Sequence, residues 1–243
     1  MKLIKLNAID STNDFLKNLS RTESLENFTT VVTQSQTKGK GQMGSVWNSE
    51  SGKNLIMSVL LKDLLSSIDE IFHLNVAVSL AVIQVLDDLN IPNISIKWPN
   101  DIMSDNKKIA GILIENSFKS DNKIESIIGI GLNVNQKDFY NLPKASSLSL
   151  VTNSDFDLDM ILEKVIFQIK RNCALISSKQ TSILWKSYHS NLFKKGVPMA
   201  FEDEIGNQFM GIIQEVSSDG NLQLLHEDDS IKQYGVKQIQ MLY

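Results

Sequence analysis

The sequence predicts an α+β chain, with a mixed-sheet domain to about residue 193 and a small β domain after it. Three observations carry this reading. Between 67 and 89, Ile68, Ile71, Phe72, Val76, Val78, Leu80, Ala81, Val85 and Leu86 recur at helical spacing. Residues 94–134 are apolar, β-rich runs cut by polar turns. Residues 197–243 break into four or five short runs, with turns at Asp203–Asn207, Ser217–Asn221 and Glu227–Ser230, which is a small β-barrel pattern. With 243 residues, 42% hydrophobic and 21% charged, the chain can bury a real core, and disordered, collagen-like and disulfide-stapled classes are excluded.

Each element follows from local chemistry. Lys2-Leu3-Ile4-Lys5-Leu6 alternates as a short strand does. Ser11 offers an N-cap with Asp14 three residues on, opening a helix that turns Phe15, Leu16 and Leu19 inward. Residues 28–36 are β-branched and predict a strand; a glycine-rich polar loop over 37–54 leads to an apolar strand at Leu55–Leu61. The 67–89 helix is expected to be the longest. Ile94–Trp98 is a strand stopped by Pro99, and a hairpin turns at Ser104-Asp105-Asn106. Ile109–Asn116 and Ile124–Val134 are strands separated by a polar turn at Lys119–Lys123. Residues 158–176 and 181–192 return to helical spacing, and Lys194-Lys195-Gly196 marks the change of character, giving domains 1–193 and 194–243.

Composition narrows the function. A single cysteine, Cys173, makes neither an internal disulfide nor a multi-cysteine zinc site, and fits a reducing cytoplasm. The opening MKLIKLNAIDSTND turns polar too soon for a signal peptide, and the apolar runs are expected to be too interrupted to span a membrane. The net charge is -4, so no basic field favours nucleic acid. Arg21 and Arg171 are the only arginines, so a bound anion falls to lysines and backbone N–H groups. No two histidines stand at metal-ligand spacing. His73 is a packed or surface residue, Cys173 a small core residue, and Met57, Met103 and Met210 packing residues.

The remaining motifs carry chemistry. Gly39-Lys40-Gly41-Gln42-Met43-Gly44 matches G-x-G-x-x-G, but Ser45–Gly52 is no helix, so the pyrophosphate site of a dinucleotide fold is missing. The loop is either a flexible surface loop or a backbone cradle for an anion. Lys97-Trp98-Pro99-Asn100-Asp101 sets Asn100 and Asp101 at a strand edge. Lys108 stands at the foot of an apolar strand, either as a partly desolvated ammonium or as a strand-end charge. Gly111, Gly129 and Gly131 interrupt strands where a ligand approaches closely, and together they suggest one shared groove.

In chain order these segments resemble the biotin–protein ligases (biotin–[biotin carboxyl-carrier protein] ligases). The resemblance rests on Ser11-Thr12-Asn13 and on Gln36-x-x-Gly39-Lys40-Gly41-x-x-Gly44-x-x-Trp47. It continues through Lys97-Trp98-Pro99-Asn100-Asp101, Lys108-x-Ala110-Gly111-Ile112-Leu113-x-Glu115 and Gly129-x-Gly131-x-Asn133. It spans residues 10–135, and the trailing β domain fits the family's SH3-like C-terminal module.

The resemblance implies the mixed-sheet catalytic fold of the biotin/lipoate ligases and a two-step reaction. Biotin and MgATP give biotinyl-5′-adenylate, and biotin then passes to a lysine of a biotin carboxyl carrier protein domain of a biotin-dependent carboxylase. It implies catalytic roles for Lys108 and Lys97. Biotin falls to Ser11, Thr12, Asn13, Gln36, Gly39, Lys40, Gly41, Gln42, Lys108 and Gly111. ATP and the adenylate fall to Lys40, Gly44, Trp47, Lys97, Asn100, Asp101, Lys108 and Asn133, with Asp101 as the position for Mg2+. A homodimer through a sheet edge is common in that family. No membrane or nucleic-acid partner is expected, since Ser11 follows the start too closely for a DNA-binding winged helix. Many members carry arginines where this loop has Lys40, Gln42 and Met43, which bears on how tightly the adenylate is retained. The alternatives are a lipoate or octanoate protein ligase, against which K-W-P-N-D argues, and a non-catalytic biotin-binding relative, against which Lys97 and Lys108 argue.

Overall fold

The computed structural model describes residues 2–119, 123–140 and 142–243. The expected Lys119–Lys123 turn lies partly outside the described residues. Seven strands form a mixed sheet in the order β1-β2-β3-β7-β6-β5-β4: β1 (Leu3–Ile9), β2 (Thr30–Gln36), β3 (Leu55–Lys62), β4 (Ile94–Lys97), β5 (Asp101–Ser104), β6 (Lys107–Phe118) and β7 (Ile124–Leu132). β1 and β2 run parallel because a helix, α1 (Thr12–Thr22), connects them, whereas every other neighbouring pair is antiparallel. Ser11 caps α1 as expected, its side chain accepting from the Asp14 N–H. The Trp98–Pro99 peptide is cis.

The period-2 alternation of the central strands separates two faces. Leu55, Met57, Val59 and Leu61 of β3 join Ile128, Ile130 and Leu132 of β7 in the main core, under the helices α2 (Ile71–Asp88) and α4 (Leu158–Ser177). The opposite face packs α1: Leu16 meets Val31, Leu60 and Ile127 in a smaller cluster. Ser58, Gly129, Gly131 and Gly111 therefore stand on the α1 side, where side-chain bulk is withdrawn. Gly111 pairs directly with Gly131, and Leu113 with Gly129.

Three expectations need correction. α4, at 20 residues, is longer than the 18-residue α2, because the first turn of the expected 67–89 helix, Ile68–Glu70, is 3-10 and α2 proper begins at Ile71. The segment Ile68–Asp88 is long and apolar enough to cross a membrane by length and composition, contrary to the interrupted pattern expected. It is apolar all round because it is a core helix, 61% of that window being buried between the sheet and its helical neighbours. Met210 is 41% exposed and is no packing residue, whereas Met57 and Met103 are fully buried. A short helix, α3 (Leu148–Thr152), and α5 (Thr181–Ser190) complete the helical layer.

Residues 198–242 form a five-stranded antiparallel sheet: β8 (Pro198–Asp203), β9 (Gln208–Val216), β10 (Leu222–His226), β11 (Ile231–Tyr234) and β12 (Ile239–Leu242), in the order β11-β10-β9-β8-β12. The expected turns join β8 to β9, β9 to β10 and β10 to β11. This sheet and the segment leading into it are fastened beside β4: Ile96 N–H donates to Asn191 O at 2.7 Å, Phe193 N–H returns to Ile96 O at 2.9 Å, and Trp98 Nε1–H donates to Gly220 O, in the β9–β10 turn, at 2.9 Å.

Candidate active site

The withdrawn face of the sheet forms the floor of a cleft of about 310 Å³, roofed by the start of α1 and the glycine loop. Ser11, Thr12, Asn13, Gln36, Lys40, Gly41, Gln42, Trp47, Asn100, Asp101, Lys108 and Gly111, all singled out in the sequence, line it. Gly39 and Gly44 do not; they shape the loop. A side chain at Gly39 would run into the Trp47 carbonyl, and Gly44 turns the chain at φ +83.

One end of the cleft is a neutral hydrogen-bonding cradle. The Gln36 side-chain oxygen accepts from Thr12 N–H at 2.8 Å and from Thr12 Oγ1 at 3.1 Å. Ser58 Oγ lies 2.8 Å from Thr12 Oγ1 and 2.6 Å from the Asn13 oxygen, while Asn13 Nδ2 donates to Glu115 Oε2 at 2.8 Å. Asn13 can sit there because Gly129 lies beneath its amide; a Cβ at 129 would press on it. With Asn13 paired at both ends, what the cradle leaves over is the Gln36 amide N–H and hydroxyl lone pairs.

The other end is charged. Lys108 Nζ lies 2.6 Å from one oxygen of Asp101, and Lys97 Nζ lies 4.0 Å from the other. Burial holds the Lys97 ammonium below the usual lysine range; Asp101 opposes that shift, while Lys108 and Lys144 reinforce it. Lys97 lies behind Asp101 and is not among the residues lining this cleft. Asn100 is buried, its Nδ2 donating to Ile112 O at 2.6 Å while Ile112 N–H bonds Asn100 O, so it locks the cis-proline turn onto β6.

The glycine loop is folded, not loose. Gly41 N–H donates to Ser45 O at 2.8 Å, Trp47 N–H to Gly39 O at 2.9 Å, and Lys40 pairs with Val46. Lys40 Nζ pins the loop to α1 through the Asp14 carboxylate at 2.6 Å, which also holds its ammonium charged above the usual range. The Trp47 indole lies against Gly111 and Gly131 with the Lys108 ammonium 5.6 Å from its ring centroid, and its buried Nε1–H has no partner among the described residues. Trp47 and Lys108 also border a second cleft of about 380 Å³, with Asn133, Phe139, Lys144 and Tyr243. Asn133 is buried, its Nδ2 donating to Ser146 O at 2.9 Å.

A model of the biotin/lipoate A/B protein ligase family matches residues 6–135. The chain belongs to that family. The bifunctional ligase/repressor BirA of Bacillus spizizenii is 32% identical over 193 residues, 76% of this chain and 59% of its own length, so the chain spans about three fifths of that relative. The biotin–[acetyl-CoA-carboxylase] ligase of Mycobacterium tuberculosis is 24% identical over 195 residues, 79% of this chain and 71% of that one. Among solved structures, the Aquifex aeolicus biotin protein ligase in complex with biotin and ATP superposes with a TM-score of 0.81 at 28% identity, covering 99% of this chain and 98% of the other. The mixed-sheet α+β fold is thus the biotin protein ligase fold. The family match ends at Asn135, so Lys144 and Tyr243 stand beyond it, brought to the site by the fold alone. Sequence reasoning missed both. It also left out Ser58, although a lone serine in the apolar run Leu55–Lys62 was a signal that could have been read.

Proposed function

We propose that this chain activates biotin with ATP to biotinyl-5′-adenylate and transfers biotin to a lysine of a biotin carboxyl carrier protein domain. The observation that carries the reading is the division of one cleft into a neutral amide–hydroxyl cradle and a lysine–carboxylate end, with Lys108 where the two meet. A ureido ring brings donors and an acceptor that must stay paired on burial, which suits Thr12, Gln36 and the Ser11 hydroxyl. The biotin carboxylate then points toward Lys108.

In the first half-reaction a carboxylate oxygen attacks the α-phosphorus, and the bond from that phosphorus to the bridging oxygen breaks, releasing pyrophosphate. Two anions must meet, so the fixed Lys108 ammonium screens their repulsion and the charge growing at phosphorus. Asp101 holds Lys108 in place, and Lys97 lies behind that carboxylate. Gln42 and those loop N–H groups not already paired within the loop face the phosphate, with Lys40 held beside them by Asp14; the loop sheds water that would hydrolyse the anhydride, and Trp47 and Asn133 border the space for the adenine. In the second half-reaction a neutral lysine amine of the carrier attacks the acyl carbon, the acyl–phosphate bond breaks, AMP leaves and the amine gives up a proton.

Asp101 is the sole carboxylate lining the main cleft among the described residues, and no cluster of three or more potential ligands stands there. Such a donor set suits Mg2+ that arrives on ATP and keeps its phosphate and water ligands, rather than a protein-built cage. The same reading takes residues 1–193 as the catalytic unit and 194–243 as a small SH3-like module. It gives the chain a cytoplasmic setting with no nucleic-acid partner. It also includes a homodimer through the stretch of β6 beyond Gly111, where β5 no longer pairs.

The test is pyrophosphate release in the presence of ATP with biotin, lipoate or octanoate. Release with biotin alone is expected; release with lipoate or octanoate instead points to the other branch of the family, and no release with any to a binding protein. Lys108→Ala should stay folded and lose adenylation by about a hundredfold or more, the scale of removing one group that stabilises transition-state charge. Normal biotin-dependent release by that variant removes Lys108 from the mechanism.

A further inference from the structure

Lys144 lies at the second cleft, its ammonium 4.2 Å from the centroid of the Tyr243 ring. The same ring has Lys97 Nζ 5.4 Å from its centroid. Among the described residues the Lys144 ammonium has no carboxylate partner. Its backbone is zipped to Lys108: Lys108 N–H donates to Lys144 O at 2.7 Å, Ser146 N–H donates to Lys108 O at 2.9 Å, and Lys108 and Ala145 form a parallel bridge. The loop carrying Lys144 thus continues the sheet at Lys108, so the positions of the two lysines are set together.

Lys97 and Lys108 flank one carboxylate, Asp101, while Lys97 and Lys144 both lie over the Tyr243 ring. Two ammonium groups against a single carboxylate, with a third over the neighbouring Tyr243 ring, leave an excess of positive charge beside the second cleft. Crowded like charges raise the free energy of the site unless an anion joins them, and here each of the other two lysines disfavours the charged form of Lys97. Gln42 and Met43 of the glycine loop carry no charge, and Met43 turns outward, 56% exposed, in a left-handed conformation. The loop's own cation, Lys40, is engaged with Asp14, while the Lys144 segment supplies a cation with no carboxylate partner among the described residues.

We propose that Lys144 binds the β- and γ-phosphates of ATP, the leaving pyrophosphate of the adenylation step. The inference rests on the biotin-ligase reading and adds a residue outside the matched family region. As the α-phosphorus–oxygen bond breaks, negative charge gathers on the departing group, and a lysine stabilises it as a point charge. Tyr243 is the positioning residue, since its ring face keeps the flexible lysine stem over the cleft.

Lys144→Gln and Lys144→Arg, made in the full chain, test this by two readouts. In biotin-dependent ATP–pyrophosphate exchange, Lys144→Gln should raise the KM for ATP and for pyrophosphate by about tenfold (about 1.4 kcal/mol), with biotin affinity unchanged. Lys144→Arg should restore most of the loss, and the difference should shrink as salt rises. Calorimetric titration with inorganic pyrophosphate, without biotin, should give weaker binding to folded Lys144→Gln than to wild type. Equal pyrophosphate binding by the two proteins, or binding by neither, overturns the inference, as does an unchanged KM for ATP. Pyrophosphate binding lost in Lys144→Gln, in a wild type that makes no exchange with biotin, upholds the phosphate site and sinks the biotin-ligase reading instead.

Discussion

At the scale of single residues, the site is governed by where charge is placed and where it is withheld. Asp101 carries two lysines, so each is held in position before any ligand arrives. Lys40, by contrast, is engaged with Asp14 on the flank of α1, and Gln42 lines the cleft with a neutral amide. Charged hydrogen bonds contribute roughly 1.5–3 kcal/mol, against about 1 for neutral ones. Gln42→Arg should therefore slow dissociation of preformed biotinyl-adenylate by about two- to thirtyfold, the factor for a gain of roughly 0.5–2 kcal/mol. Less escaped anhydride should also mean less stray labelling of bystander lysines. The off-rate at one fixed salt concentration decides it: equal values for wild type and Gln42→Arg leave position 42 to loop closure or solvation.

At the scale of elements, β7 divides the reaction between two glycines. A Cβ added at Gly129 would press on the Asn13 amide, whereas one at Gly131 would run into the Trp47 indole. Neither glycine has a positive φ, so alanine is sterically excluded by neighbours and not by backbone conformation. Gly129→Ala should raise the KM for biotin with less effect on ATP, and Gly131→Ala should do the opposite; titrating each substrate against each variant checks it. Matching effects of both variants on both substrates would mean that the strand is simply distorted. The strand itself was legible, since Ile124–Val134 was read as β from its branched residues, and paired glycines at 129 and 131 signalled close approach. α1 was legible from Ser11 and Asp14, because a cap is a local device. The partners of those glycines were not legible: Trp47 reaches Gly131 only through the fold of the loop, and Ser58 meets Thr12 and Asn13 only because β3 lies beneath α1. Lys144 and Tyr243 gave no signal, because a lysine after a proline and an aromatic after the last strand are unremarkable until Lys108 and Phe193 bring them to the cleft.

At the scale of the whole molecule, the two sheets share one core. Phe201, Ile213, Val216, Leu222, Leu224 and Ile239 of the smaller sheet belong to the same buried cluster as α2, α4 and the central strands of the larger one. Polar ties reinforce the seam: His189 Nε2 lies 2.9 Å from Val216 O, Gly196 N–H donates to Ile213 O at 3.0 Å, and the Tyr243 ring packs edge-on to Phe193 at 5.4 Å. Elements that bury a common cluster lose it together, so partial opening exposes apolar surface on both sides of the seam at once. This coupling also matters for chemistry, because Tyr243 supports Lys97 and Lys144 only while the smaller sheet is docked. The chain should therefore unfold in one transition, with the slowest-exchanging amides of β9 and β10 reporting the same opening free energy as those of β3 and β7. Native-state hydrogen exchange across a denaturant series measures this directly. If β9 and β10 exchange through a separate, lower-energy opening while β3 and β7 stay protected, the seam is an interface rather than a core, and Tyr243 is then a contact that comes and goes with the docked sheet.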